Sequence, residues 1–382
     1  MLNIWRAKLS RIHTKSFIKS KQELLTDFYE KFDRTGEPSG HLTTLLTNFH
    51  PLREASQQGK VFVIFAAQNS SVKAMISRRN IRVKVMQTLY SIETGELDIK
   101  AEQEVKMLQR HFDQSRQLFV YLLYFISEVA RYAEKSAVLR ASKHLPTEED
   151  LHVNIKLAGN EVMWKMIEDP SYQKAIKDDK PHLMIDKELV KKMYIQLVAT
   201  PEYTTYINEQ SRSRKEEKDI MMFVFQHILL PDESFIYHIE ELFTNWEDDC
   251  EMLDGLVTSY LQKPGSYSFQ EMLGKEKWEY GKKLLETVLD KKEVTMGLIQ
   301  PRLTNWDAER IATLDMILMQ MGVCEFLYFE TIPPKVTINE YIDLAKEYST
   351  PQSGQFVNGI LDSIHKDMLK EGTLNKVDFR KP

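Results

Sequence analysis

Residues 103–142 read QEVKMLQRHFDQSRQLFVYLLYFISEVARYAEKSAVLRAS. Val105, Leu108 and Phe112, then Leu118, Leu122, Ile126 and Val129, recur mostly every three or four residues, which puts them on one face of an α-helix. The apolar heart of the segment, Phe119 to Ile126, is eight residues long, against about 20 needed to cross a bilayer. The spacing predicts a long helix buried in a protein core, with the aromatic run Phe119–Phe125 inside it.

The same periodicity extends through most of the chain. Helical stretches are expected over roughly 147–159, 187–208, 214–229, 233–245, 248–262, 278–300, 305–322, 338–348 and 354–370, while sustained period-two alternation is almost absent. Gly and Pro, at 14 and 13 of 382 residues, are sparse. Breaks fall at Lys143–Pro146, Asp178–Pro181, Leu230–Pro231, Lys263–Gly265 and Thr331–Pro334. Thr304-x-x-Asp307 and Thr337-x-x-Glu340 have the form of capping boxes, and Val336 and Tyr341 flank the second as a hydrophobic staple would. The expected architecture is all-α, built from packed bundles.

Composition narrows the class further. Lys plus Arg total 51 and Asp plus Glu 56, a net charge of −5 that selects no partner by itself. The distribution is more telling. Ala55 to Ile92 contains no Asp or Glu but carries Lys60, Lys73, Arg78, Arg79, Arg82 and Lys84, a candidate anion-binding surface. Two cysteines, Cys250 and Cys324, exclude a disulfide scaffold and a Cys-rich zinc module. Val61 to Ala67 is too short and lacks the exit of a good signal peptide. A soluble, cytoplasmic protein is expected.

The basic cluster opens a well-formed helix. Ser77 can cap it, Ile81, Val85, Leu89 and Ile92 form one apolar stripe, and Val83, Met86 and Tyr90 form a second. Such a helix is buried on two sides and leaves its first turns at a rim. Clustered guanidinium groups there suit phosphate contacts, and equally suit a solvated helix start. The acidic run Glu247, Asp248, Asp249, Glu251, Asp254 reads as a solvated helix start favoured by the dipole.

The C-terminal region carries the most specific pattern. A helix running from Trp306 ends in Glu325. It is followed by Ile332-Pro-Pro-Lys-Val-Thr-Ile-Asn-Glu-Tyr-Ile-Asp-Leu-Ala-Lys-Glu-Tyr348 and Ser353-Gly-Gln-Phe-Val-Asn-Gly-Ile-Leu-Asp362. This order resembles the NusB family of bacterial transcription antitermination factors, in its long, Bacteroidetes-type form. Arg78-Arg79…Gln87-x-Leu89-Tyr90 matches the start of the family, and residues 280–303 look like the helix joining its two halves. The resemblance covers about 75–95 and 278–372. It implies an N-terminal bundle at 75–275 that carries a helical insertion (about 100–275) and a family-type helical domain at 276–375, together two packed bundles of three-helix type.

By that resemblance the protein has no catalysis and needs no cofactor. It binds boxA-containing RNA together with NusE, the ribosomal small-subunit protein, and joins the antitermination complex on RNA polymerase in rRNA operons. It has no membrane role, and monomer and homodimer both stay open. Matched residue by residue, Arg78, Arg79, Arg82 and Lys84 face phosphate, and Phe356 stands beside the RNA as a stacking surface. Phe356 is also a candidate core residue. Tyr90, Glu309, Asp315, Tyr348 and Gln352 fall where the family meets NusE. Gln352 stands where an acidic residue is common, and Ser349 where Gly is usual. Asn339, Glu340, Asn358 and Gly359 read as structural.

Enzyme motifs are missing from the sequence. Gly274 to Gly281 with Lys282 has six intervening residues instead of the four of a phosphate loop, and Lys283 replaces the required Ser or Thr. No Gly-x-Gly-x-x-Gly, His-Glu-x-x-His or Gly-x-Ser-x-Gly occurs. A NusB-like domain also occurs in rRNA cytosine methyltransferases, but the α/β half they need is not seen here. The alternative reading is a non-enzymatic scaffold that keeps the fold and binds proteins without RNA. Residues 1–74 have no counterpart in the family pattern and are expected to be loosely packed and dispensable, as a lineage-specific tail or a misassigned start.

Overall fold

The computed structural model describes residues 76–95, 101–266, 268–303, 311–374 and 376–377. The chain divides into two units, Met1–Ser71 and Val72–Pro382, and all described residues belong to the second. The expectations for residues 1–74, and the cap at Thr304-x-x-Asp307, lie outside them.

Every regular element among the described residues is helical. In chain order they are α1 (Arg78–Glu93), α2 (Ala101–Ala141), α3 (Glu148–Leu151), α4 (Glu161–Glu168), α5 (Pro170–Asp179), α6 (Lys187–Val198), α7 (Pro201–Asn208) and α8 (Arg214–Phe223). There follow α9 (Glu233–Leu242), α10 (Trp246–Gln262), α11 (Lys275–Asp290), α12 (Lys292–Ile299), α13 (Thr313–Tyr328), α14 (Pro334–Tyr348) and α15 (Ser353–Glu371). The all-α expectation holds.

The 41 residues of α2 make a mast about 60 Å long at 1.5 Å per residue. Phe119, Tyr121, Phe125 and their apolar neighbours on it are fully buried. Helices α5, α6 and α10 pack along its flanks. At its start, α2 packs on α1, and α1 also contacts α11 and α13. A second bundle forms where α13, α14 and α15 pack on one another. Helix α13 is apolar nearly all round, with Ile317 to Phe326 buried without a gap, so it is the centre of that bundle. Gly281 lets α11 close on α1, since a Cβ there would stand 2.8 Å from Ile81 Cγ2.

Several boundaries differ from the sequence reading. Thr200 caps a new helix with Pro201 in its first turn, so 187–208 is two helices. The stretch 278–300 breaks at Lys291. Only Glu148–Leu151 of 147–159 is α-helix, followed by a 3-10 turn at Lys156–Gly159. Helices α4 and α5 were missed because each is short, and only the caps at Asn160 and Asp169 mark them. The capping box at Thr337 does not form. Helix α14 starts earlier with Pro334 in its first turn, Val336 is exposed while Tyr341 is buried, and no staple closes. The Thr337 hydroxyl instead donates to Glu325 at 2.8 Å.

Candidate nucleic-acid interface

Helix α1 begins as its sequence predicts. The Ser77 hydroxyl accepts from Asn80 N at 3.1 Å, and the Asn80 side chain accepts in turn from Ser77 N at 3.3 Å. Ile81, Val83, Val85, Met86 and Leu89 are buried, so both apolar stripes are used. No acidic side chain lies in the first turn. The positive end of the helix dipole and two arginines therefore coincide, an arrangement that draws anions.

Only those two arginines stay in reach of solvent. The side chains of Arg78 and Arg79 are 47% and 37% exposed, and each faces a carboxylate. Arg79 Nη2 lies 2.7 Å from Glu347 Oε2 on the last turn of α14, and Arg78 Nη2 lies 3.5 Å from Glu276 Oε1 at the start of α11. The Arg78 guanidinium also sits over the Tyr280 ring, 5.7 Å from its centroid.

Arg82 and Lys84 are a correction to the sequence reading. Both are 2% exposed and turned into the protein, out of reach of an RNA phosphate. Arg82 donates through Nε and Nη2 to the two oxygens of Glu325, at 2.8 and 3.2 Å, and through Nη1 to Glu340 at 3.1 Å. The Glu325 carboxylate also accepts from Tyr280 at 2.6 Å, Tyr341 at 2.9 Å and Thr337 at 2.8 Å. Burial alone would raise the Glu325 carboxyl pKa. The Arg82 guanidinium and these hydroxyls outweigh it and hold the group below its ordinary value. The Glu that closes the α13 motif is thus the acceptor that ties α1, α11 and α14 together.

Lys84 performs the same task toward the insertion. Its Nζ pairs with Asp249 of α10 at 2.8 Å, and Asp249 also accepts from Ser115 of α2 and from Asn245, each at 2.6 Å. The acidic run at 247–254 is therefore not wholly a solvated helix start, because Asp249 is 1% exposed. Gln87 donates to Asp248 at 2.5 Å. Burial, with Asp249 and Glu247 beside it, pushes the Asp248 carboxyl up to about 6, although Lys84 and Gln87 pull it down. His111, hydrogen-bonded to Thr88, is pushed down to about 4 by burial and then by Lys84.

The other sequence candidates divide similarly. Tyr90, Tyr348 and Phe356 are half-buried against the core, and Gln352 is exposed just before α15. Asp315 corrects the expectation of a surface contact: it is 5% exposed and accepts from Ser353 Oγ at 2.7 Å. Glu309 lies outside the described residues. Gly359 meets no neighbour that a Cβ would disturb, so close packing is not its role. The structure brings Arg79 and Tyr348 to one rim through Glu347, a residue the sequence reading did not single out. No signal separated Glu347 from other surface acids, whereas Glu325 was visible as a charge inside an apolar run. Among the described residues no cluster of His, Cys, Asp or Glu could hold a metal ion, and no helix is long and apolar enough to cross a membrane.

Two helical bundles are thus joined through a buried Arg–Glu tie, with an arginine pair at the rim. The model of the NusB family matches residues 238–366, beginning inside the stretch read as an insertion and leaving out α1. The relatives this chain matches include several named transcription antitermination protein NusB. The one from Ruminiclostridium cellulolyticum is 38% identical over 109 residues, 28% of this chain and 75% of the relative. Those from Salinibacter ruber and Methylacidiphilum infernorum are 42% and 45% identical over 26% and 22% of this chain. The chain spans 61% and 58% of the length of these last two. No solved structure matches. The chain belongs to the NusB family.

Proposed function

We propose that this protein is a transcription antitermination factor that binds boxA-containing RNA together with NusE and acts on elongating RNA polymerase in rRNA operons. The observation that carries the reading is the pair of solvent-open arginines, Arg78 and Arg79, at the first turn of α1 in a chain of this family. Arginines at the positive end of a helix favour a phosphate backbone. Phe356 supplies a half-buried aromatic surface of the kind that stacks on an unpaired base. Tyr90, Tyr348 and Gln352 are the proposed contacts to NusE.

A scaffold that binds proteins without RNA is the second reading. It is favoured by one observation: both exposed arginines already face carboxylates.

Fluorescence anisotropy of a boxA RNA, titrated with the protein with and without NusE, separates the two. RNA binding should weaken as salt rises and should fall about tenfold or more in Arg79→Glu, the equivalent of about 1.4 kcal/mol or more. Absence of RNA binding in both titrations would leave the scaffold.

A further inference from the structure

The antitermination reading makes Arg79 a phosphate contact, yet its guanidinium is already engaged. Arg79 Nη2 and Glu347 Oε2 are 2.7 Å apart, a charge-assisted hydrogen-bond distance. Both side chains are open to solvent, at 37% and 51%, so neither charge is trapped by burial. The two arginines are also held unequally. Arg78 rests over the Tyr280 ring and meets Glu276 only at 3.5 Å, with that carboxylate 89% exposed. Tyr280 is itself anchored through its hydroxyl to Glu325. Arg78 is therefore positioned independently of its carboxylate, whereas Arg79 is positioned by Glu347.

From this geometry we infer that Glu347 is a built-in competitor for the anion site: its carboxylate occupies the place on Arg79 that an RNA phosphate takes, and it sets the affinity of the site. The inference rests on the RNA-binding reading and adds the regulation of that same surface. An exposed pair of this kind is weak, so a phosphate can displace it. Where Arg79 is a contact, the exchange trades one carboxylate for one phosphate, and the carboxylate swings out to water. The other groups around Glu347 do not compete for it as cations. Its neighbour Tyr348 is a phenol whose pKa is raised, by burial and then by Asp248 and Glu347, so it stays neutral. Lys346, the nearest lysine in sequence, pairs instead with Asp343 at 3.5 Å.

The test is anisotropy of a boxA RNA oligonucleotide against wild type, Glu347→Gln and Glu347→Asp, with far-UV circular dichroism to confirm that each variant is folded. Glu347→Gln removes the competing charge. It should tighten RNA binding by up to about fivefold. Glu347→Asp keeps the charge but withdraws it by one methylene. It should recover part of the same gain, because the contact and not the net charge is what competes.

A Glu347→Gln affinity equal to or below wild type overturns the inference while leaving RNA binding intact. A gain in Glu347→Gln with none in Glu347→Asp also overturns it, since a general field effect would then suffice. Failure of wild type and both variants to bind RNA overturns the antitermination reading as well. Binding by Glu347→Gln alone would support the competitor in its strongest form.

Discussion

Glu325→Gln is the sharpest probe of what joins the two bundles. The substitution keeps the volume of the side chain, and one amide oxygen can still accept from Tyr280, Tyr341 or Thr337, so the charge is what is lost. Arg82, at 2% exposure, would then have only Glu340 as an anionic partner, and that side chain is 29% exposed. Stripping a buried ion pair of one partner costs about 3–5 kcal/mol, against a typical total stability of about 5–15 kcal/mol. Urea unfolding followed by circular dichroism should show the midpoint falling with an unchanged slope. In an Arg82→Met background the same Glu325→Gln change should be neutral or stabilising, because it removes a buried carboxylate that has lost its cation. A loss below about 1 kcal/mol in the wild-type background would refute the tie, as would an equal loss in both backgrounds. The same logic separates stability from binding: Arg82→Met protein that remains folded should keep the wild-type salt slope for RNA.

Two further measurements test the packing around α1. Asp248 and His111 oppose each other in pH. A carboxyl raised to about 6 leaves the folded state holding more protons than the unfolded one, so stability falls from about pH 4 to 6. An imidazole lowered to about 4 does the reverse, so stability rises from about pH 4 to 6.5. Asp248→Asn should therefore expose a rise with pH, and His111→Gln a fall, in urea titrations across that window; unchanged profiles would contradict the assignment. Gly281→Ala should destabilise by about 1–3 kcal/mol despite the better helix propensity of Ala, because its Cβ would meet Ile81 Cγ2 at 2.8 Å. A raised thermal midpoint would show that the contact relaxes freely.

What the sequence could convey was set by periodicity. Apolar spacing of three and four marks α2, α10 and α15 because each buries one long stripe, and the two stripes of α1 announce a helix enclosed on both sides. Short helices such as α4 and α5 bury too few side chains to register, and their caps are single residues. The capping box at Thr337 failed for a different reason. A Thr three residues before a Glu is a local signal, and Glu325, twelve positions upstream, claims the hydroxyl across the bundle. Such claims are invisible until the chain is folded.

The basic cluster teaches the same point about the site. Arg78, Arg79, Arg82 and Lys84 look alike as charges in a row, and family resemblance assigned all four to phosphate. The fold sorts them by depth. The first turn projects to the rim, while a turn further on, α1 packs on α13 and meets carboxylates that α14 and α10 send to it. There a cation is tolerable only if a carboxylate comes with it, and each buried one has its own: Glu325 for Arg82 and Asp249 for Lys84. One helix consequently carries three separate duties. Arg82 locks the C-terminal bundle, Lys84 locks α10 and, through Ser115, α2, and only Arg78 and Arg79 are left for an external anion. The stretch read as an insertion is accordingly no appendage, since Asp249 within it satisfies a charge that α1 has already buried.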